Sequence, residues 1–402
     1  MQLIDSTEAA RLLGVTRQTL YSYVSRGLLR ARLAPAGKGK LYARGDVERL
    51  AARAAQGRKP RAAARRTLDF GLPVLESALT LIADGELWYR AQRATVLAEY
   101  STLEEVAGLL WACGDAMPFA SAVPTINTAL VSDARPLERA MVALPAMAIQ
   151  LPHLAHDASA ADRYARCAVL VRCMAAALLG TPVSAAPLHE QCAAAWGVDA
   201  AGAASLRAAL VLCADHELNA SSFAARVVAS TGAQLHAAVL GGLAALSGPR
   251  HGAASEAVET LWDQIEDGTV DALIAEILEA RSSVPGFGHR LYPQGDARAT
   301  CILASLQQQP ELIALRLAVH ARCGELPNLD LALVAMRRAL GLPRGSASII
   351  FALGRSVGWL AHALEQQAQG DLIRPRANYV GEPLPHAAEA QPAGRIVRMK
   401  RH

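Results

Sequence analysis

The sequence lacks several features that would have placed it in other classes. Its seven cysteines (Cys113, Cys167, Cys173, Cys192, Cys213, Cys301, Cys323) stand singly, without the paired spacing of a disulfide framework or a zinc site. That pattern points to a reduced, cytoplasmic chain. Aromatic residues make up only 4% of the 402 positions, and β-branched runs are few. Alanine is abundant instead, alongside Leu, Arg, Glu and Gln, so the composition predicts a mainly α protein. The opening "MQLIDSTEAARLLG" has no basic segment leading into a long apolar one. Later apolar stretches are broken by His, Arg or Asp within a few turns, so neither a signal peptide nor a membrane span is expected. No internal repeat of fixed period is present. At this length, and 52% hydrophobic, the chain is long enough for two or more domains.

The net charge of +4 conceals an asymmetry. Residues 1–66 hold 15 Lys plus Arg against 4 Asp plus Glu, a net +11, leaving 25 against 32, a net −7, for the remainder. A basic head therefore precedes a mildly acidic body.

In the head, "DSTEAARLLGVTRQTLYSYVSRGLLRA" carries two short helical periods. Ser6 or Thr7 is expected to cap the first, with Ala9, Leu12 and Leu13 as its apolar stripe. Thr16 is expected to cap the second, with Leu20 and Val24 facing inward. Two helices joined by a tight turn make a helix-turn-helix, whose second helix enters a DNA major groove. Arg17, Gln18, Thr19, Tyr21 and Ser22 are the groove-facing candidates. A β-hairpin tip follows at "PAGKGK", then a short strand around Leu41 and Tyr42 and another helix from Asp46. The segment resembles the winged helix-turn-helix heads of MerR-type and excisionase-type proteins. That resemblance implies DNA as a partner, with Lys38 and Lys40 on phosphate. The winged head is placed at residues 1–57, a basic linker at 58–66 and the body at 67–402.

The body reads as successive amphipathic helices, among them Ser101–Trp111, Ser159–Leu179, Ser222–Ala245, Leu331–Leu340 and Ser346–Gln367. Three histidines interrupt the series in polar or glycine-rich surroundings: "CADHELNASSF" (His216), "GPRHGAASEA" (His251) and "VPGFGHRLYPQGDARA" (His289). A fourth polar site, "GELPNLDLAL", holds Asp330. Small residues on both sides of His251 let another surface approach the imidazole, and an acidic helix is about to begin there. No two of these groups share a helix at i, i+3 or i, i+4, so no metal site is expected.

In order along the chain, these segments resemble the citrate synthase family. "ELWYRAQRATVLAEYSTLEEVAGLLW" is similar to that family's early segment, and "ADHELNAS" to its "ADHE-x-NAS". "GPRHGAASEA" is similar to "GP-x-HGGANEA", "GFGHRLYPQGDARA" to "GFGHRVY…DPRA" and "PNLD" to "PNVD". "FALGRSVGWLAHALEQ" and "IRPRANYVG" complete the match. The resemblance implies a large helical domain with a smaller inserted helical domain, about 254–361, which closes over its substrates, in a homodimer. It also implies condensation of acetyl-CoA with oxaloacetate to give citrate and CoA, with no cofactor beyond the acyl-CoA substrate. Asp330 would be the base that takes the methyl proton, His251 the donor to the enol, and His289 the donor to the ketone. His216, Arg298 and Arg374 would hold the carboxylates, with Arg395 or Arg398 as candidates for a further arginine crossing between subunits. Val284, Pro285, Gly286, Phe287 and Gly288 would meet CoA through their backbone, with Arg355 on the CoA side.

The chain departs from the family pattern in places. "LALVA" follows Asp330 where the family has an aromatic-Ser-Gly, Ala297 replaces a proline, and the family's N-terminal strands are expected to be missing. These departures leave acetyl-CoA and propionyl-CoA, hence citrate and 2-methylcitrate, both open. Two rival classes remain: a transcription regulator whose body senses oxaloacetate or an acyl-CoA, and an interaction protein built on an enzyme fold.

Overall fold

The computed structural model describes residues 3–13, 15–16, 19–20, 23–24, 29, 31–33, 40–48, 50, 75–126, 134–155, 157–252, 254–265, 270–281, 283–306 and 309–377. Arg17, Gln18, Tyr21, Ser22, Lys38, the 58–66 linker, Arg395 and Arg398 lie outside them. The chain forms two compact units, Met1–Ser77 and Ala78–His402.

In the first unit, β1 (Leu3–Asp5), α1 (Ser6–Leu13), β2 (Ala31–Leu33) and β3 (Lys40–Ala43) precede helical residues 44–48. The strands form an antiparallel sheet in the order β1-β3-β2, with Ile4 opposite Tyr42 and Tyr42 opposite Ala31. Ile4, Ala9, Leu13, Leu20, Leu29, Tyr42 and Val47 fill its small core. The expected cap on α1 moves back to Asp5, whose Oδ1 accepts from Thr7 N and Glu8 N at 2.8 Å each. A carboxylate at that position also suits the positive end of the helix dipole. Thr16 does cap its helix, accepting from Thr19 N at 3.2 Å. Thr19, expected in the groove, is half-buried with its hydroxyl 2.9 Å from that of Thr16, whereas Lys40 is exposed.

The second unit begins with strands, against expectation. β4 (Thr80–Ala83), β5 (Glu86–Tyr89) and β6 (Gln92–Arg93) form an antiparallel sheet in that order. Asp84 (φ 53°) and Gly85 (φ 81°) make the tight β4–β5 turn, the left-handed pair that an Asp-Gly step supplies at lowest cost. Leu79, Leu87 and Tyr89 are fully buried, which is why so short a sheet holds.

Helices follow: α2 (Ala94–Tyr100), α3 (Leu103–Trp111), α4 (Pro136–Ala148), α5 (Ala160–Leu179), α6 (Leu188–Trp196), α7 (Ala200–Cys213), α8 (Ala220–Ala229), α9 (Leu235–Leu246), α10 (Ala254–Asp263), α11 (Val270–Ala280), α12 (Ala297–Leu303), α13 (Pro310–Cys323), α14 (Leu329–Ala339) and α15 (Ser346–Gln369). Caps explain many boundaries. Thr102 and Glu105 form a capping box on α3, and Ser159, Asp199, Asn219, Asp296 and Asn328 cap α5, α7, α8, α12 and α14. The single helix expected over Ser222–Ala245 is two, α8 and α9, parted at Gly232, whose φ of 77° no helix accommodates.

α15 is the axis of this unit. It is long and apolar enough to cross a membrane by length and composition, but 83% of that apolar stretch is buried among α3, α5, α7, α8 and α9. It runs unbroken through residue 361, the expected end of the smaller subdomain.

Candidate active site

Four segments bring the polar residues together: the turn after α7, the loop before α10, the loop before α12 and the start of α14. Asp215 and His216 lie in the first, and Glu217 takes a left-handed φ of 51° to close it. His216 is buried, its Nε2 2.9 Å from the Tyr292 hydroxyl and its ring centroid 5.3 Å from that of His289. Burial, then the Arg298 and Arg355 cations, holds His216 well below the usual imidazole range.

His251 sits in a turn three residues before α10, where its Nε2 lies 2.8 Å from Ser221 Oγ. Its ring stands edge-on to Phe351 at 5.8 Å, and Arg355 lies over the same Phe351 at 4.8 Å. Burial first, and the Arg355 cation second, lower its pKa to about 4. His289 is likewise lowered to about 4 by burial and Arg298. Its Nδ1 accepts from Leu291 N at 3.1 Å, which puts the ring proton on Nε2. Both imidazoles are thus neutral donors at physiological pH.

Asp330 is the second residue of α14, its N–H bonded to the Asn328 cap at 3.0 Å. Burial pushes its pKa from 3.8 up to about 6, against an opposing pull from Arg298. His251 and His289 both act on His216, whose ring stands 5.3 Å from that of His289, and Arg298 acts on both His289 and Asp330.

Several other expectations change. Arg298 is buried, but its Nε and Nη2 grip Asp296 at 2.9 and 2.7 Å, leaving Nη1 without a partner among the described residues. Arg355, expected on the CoA side, lies at the buried centre. Its Nε donates to Cys213 O at 2.8 Å and its Nη2 has no hydrogen-bond partner among the described residues. Glycines allow that placement, because a Cβ on Gly354 would stand 2.7 Å from Leu210 O, and one on Gly358 would stand 2.3 Å from Ala214 O. Arg374 is exposed beyond α15. The 284–288 loop, with Val284 and Phe287 buried and Pro285 half-buried, spends its backbone internally. Asn328 N donates to Gly286 O, Asn328 Nδ2 to Gly288 O, and Gly288 N to Leu326 O, at 2.9, 3.2 and 2.9 Å.

Residue patterns missed the support behind these groups. Asp215 is fully buried, receiving Thr80 Oγ1, His362 Nε2 (3.2 Å) and Ser222 Oγ (3.4 Å). Burial alone would raise its pKa, but His362, Arg355 and Thr80 outweigh it and hold the carboxylate ionised. Arg226 Nη1 lies 3.4 Å from His362 Nδ1, on the far side of the ring from Asp215. The signal for Asp215 lay beside His216 in "ADHE"; that for His362, in an apolar helix, did not exist locally. Among the described residues no group of three or more His, Cys, Asp or Glu is placed to hold a metal ion.

A carboxyl raised to about 6, two imidazoles lowered to about 4 and two buried arginines thus sit on a mainly helical frame. Residues 67–376 match the family described as citrate synthase, C-terminal domain, and residues 3–55 a helix-turn-helix domain. The chain belongs to the citrate synthase family. It is 38% identical over 184 residues to 2-methylcitrate synthase 2 of Corynebacterium glutamicum, covering 43% of this chain and 48% of that protein. Over the same length it is 37% identical to citrate synthase 2 of Bacillus subtilis, covering 43% and 50%. The chain thus spans about half the length of the curated relatives it matches. The crystal structure of citrate synthase from Thermotoga maritima superposes with a TM-score of 0.66 at 26% identity, covering 80% of this chain and 98% of that one. A Thermoplasma acidophilum citrate synthase, solved as a ternary complex with carboxymethyl coenzyme A and oxaloacetate, shares the fold at TM-score 0.65 and 24% identity, covering 79% and 97%.

Proposed function

We propose that the body condenses an acyl-CoA with oxaloacetate and hydrolyses the resulting thioester to release CoA. The observation that carries this is a carboxyl group raised to about 6 beside two imidazoles lowered to about 4. At neutral pH the first is an ionised base of raised basicity, and the others are uncharged donors. Asp330 takes a proton from the carbon next to the thioester carbonyl. His251 donates to the thioester oxygen as the enol forms; Nδ1 is the donor once the Ser221 hydroxyl turns its proton from Asn219 Oδ1 to His251 Nε2. The enol carbon then attacks the ketone carbon, whose oxygen takes the His289 Nε2 hydrogen bond. His216, Arg355 Nη2 and Arg298 Nη1 receive the carboxylates. Water finally cleaves the thioester, leaving the thiol of CoA.

Relatives named for citrate and for 2-methylcitrate synthesis stand equally near, so acetyl-CoA and propionyl-CoA are both tested. The sensor reading needs only the binding groups; an intact base and both donors favour turnover. The head, matching a helix-turn-helix domain, is proposed to bind duplex DNA through its basic wing.

Thiol release is measured with oxaloacetate and either acyl-CoA, on the wild type and Asp330→Ala. Release should fall at least about a hundredfold in the variant, the range for losing a positioned base. Equal, negligible rates in both proteins would instead leave the body a sensor.

A further inference from the structure

Two side chains of the β4–β5 hairpin reach the turn that carries His216. Thr80 and Tyr89 stand directly opposite each other in the antiparallel ladder, so both project from one face of the hairpin. Thr80 Oγ1 donates to Asp215 Oδ2, and the fully buried Tyr89 hydroxyl lies 3.0 Å from Val211 O and 3.3 Å from Leu212 O and from Asp215 O. The first two of those carbonyls belong to the last turn of α7, where a helix runs out of intrahelical donors. Two residues beyond Thr80, Ile82 N donates to Glu217 Oε1 at 3.3 Å and so ties down a residue held at a left-handed φ of 51°. The hairpin thus grips the chain on both sides of His216, while the imidazole itself meets Tyr292 and His289 from the loop before α12.

We infer that this hairpin is a clamp that sets the place of the His216 ring, with Thr80 and Tyr89 as its positioning residues. The inference rests on the acyl-CoA reading above, in which His216 receives a carboxylate of oxaloacetate, and extends it to two residues which that reading does not use. Each acts through the chain beside the histidine. Asp215 is the joint: Thr80 holds its Oδ2, Ser222 Oγ and His362 Nε2 stand at its Oδ1, and β4, α8 and α15 together fix the plane of a buried carboxylate. With that plane fixed, and the Asp215 carbonyl beside the Tyr89 hydroxyl, the next residue leaves in one direction. Without the Thr80 donor, Oδ2 is free to turn and the backbone of His216 turns with it.

The test is equilibrium binding of oxaloacetate by calorimetry, together with the imidazole proton NMR signal of His216 in the ligand-free protein, assigned by its loss in His216→Gln. Thr80→Val keeps the branched shape and loses the O–H, whereas Thr80→Ser keeps the O–H. Thr80→Val should weaken oxaloacetate at least about tenfold, short of the about hundredfold that a full ångström of misplacement can cost, and should move the His216 signal. Thr80→Ser should recover the wild-type value of both. Tyr89→Phe, which removes the other hydroxyl, should act in the same direction, and it decides the matter if Thr80→Val does not fold. A serine variant that behaves like the valine variant would show packing, not the hydroxyl, at work and overturns the assignment. Wild-type affinity in Thr80→Val, or an unmoved His216 signal, overturns it as well. A wild type that binds no oxaloacetate sinks the acyl-CoA reading instead, and the His216 signal then decides the clamp by itself.

Discussion

Replacing Asp330 with Asn should make the protein inactive and more stable at the same time. The side chain keeps its shape and loses its charge, and that charge is held where burial opposes it. Moving a carboxyl pKa from 3.8 to about 6 corresponds to about 3 kcal/mol, or about 2 kcal/mol after allowing for Asp330's partial exposure. Because the folded value lies above the unfolded one, the unfolded chain binds fewer protons between pH 4 and 6, so wild-type stability falls as pH rises through that window. The penalty is complete above about pH 6 and absent below about 3.8. Urea unfolding at pH 7.5 should therefore place Asp330→Asn about 2 kcal/mol above the wild type, with the gap closing as the pH approaches 4. In parallel, wild-type kcat/KM should rise with pH through a single step near 6. The histidines, at about 4, contribute no second step there. An Asn variant less stable than the wild type at pH 7.5, or a gap indifferent to pH, would refute the claim that burial sets this carboxyl.

Other expected outcomes follow from single contacts. Arg355→Gln should raise the oxaloacetate KM about a hundredfold while leaving CoA binding little changed, since the Arg355 guanidinium lies at the buried centre with Nη2 open; steady-state kinetics varying each substrate will show which KM moves. Gly358→Ala should cost about 1–3 kcal/mol because its Cβ would collide with Ala214 O, whereas Gly108→Ala, with nothing within 4 Å inside α3, should gain about 0.5–1 kcal/mol; calorimetry on both separates crowding from helix propensity. For the head, changing Lys38 and Lys40 to Ala should weaken duplex binding and lower the log-log salt slope by about 2, read by gel retardation; no retardation of wild type at low salt would count against a DNA-binding wing.

Motifs made some of this site legible, and long-range packing hid the rest. "PNLD" drew attention to Asp330, whereas the cap beside it, Asn328, was found only in the structure. "ADGE" held a hairpin signal in its Asp-Gly pair, yet the strands on either side are too short to stand out against helical surroundings. Gly232 likewise marked a break that the apolar periodicity on both sides ran across. The burial of Arg355 was hidden for a different reason. Its position depends on α15 passing the end of α7, 142 residues away in sequence, at a close approach that Gly354 and Gly358 permit.

The same packing explains why the site is assembled around unsatisfied groups. Arg355 Nη2 and Glu325 Oε2 are buried without partners, Glu217 holds a left-handed backbone, and Asp330 is ionised against its surroundings. Each such feature costs about 1–3 kcal/mol, which the large core around α15 can carry. Asp215 shows what happens when the same kind of group has no ligand to wait for: His362, Thr80 and Ser222 saturate it, and it stays ionised with full burial. Arg355 Nη2 is left open under comparable enclosure. A substrate that fills it would therefore stabilise the fold as it binds, and the difference between the saturated carboxylate and the open guanidinium separates what holds the site from what the site holds.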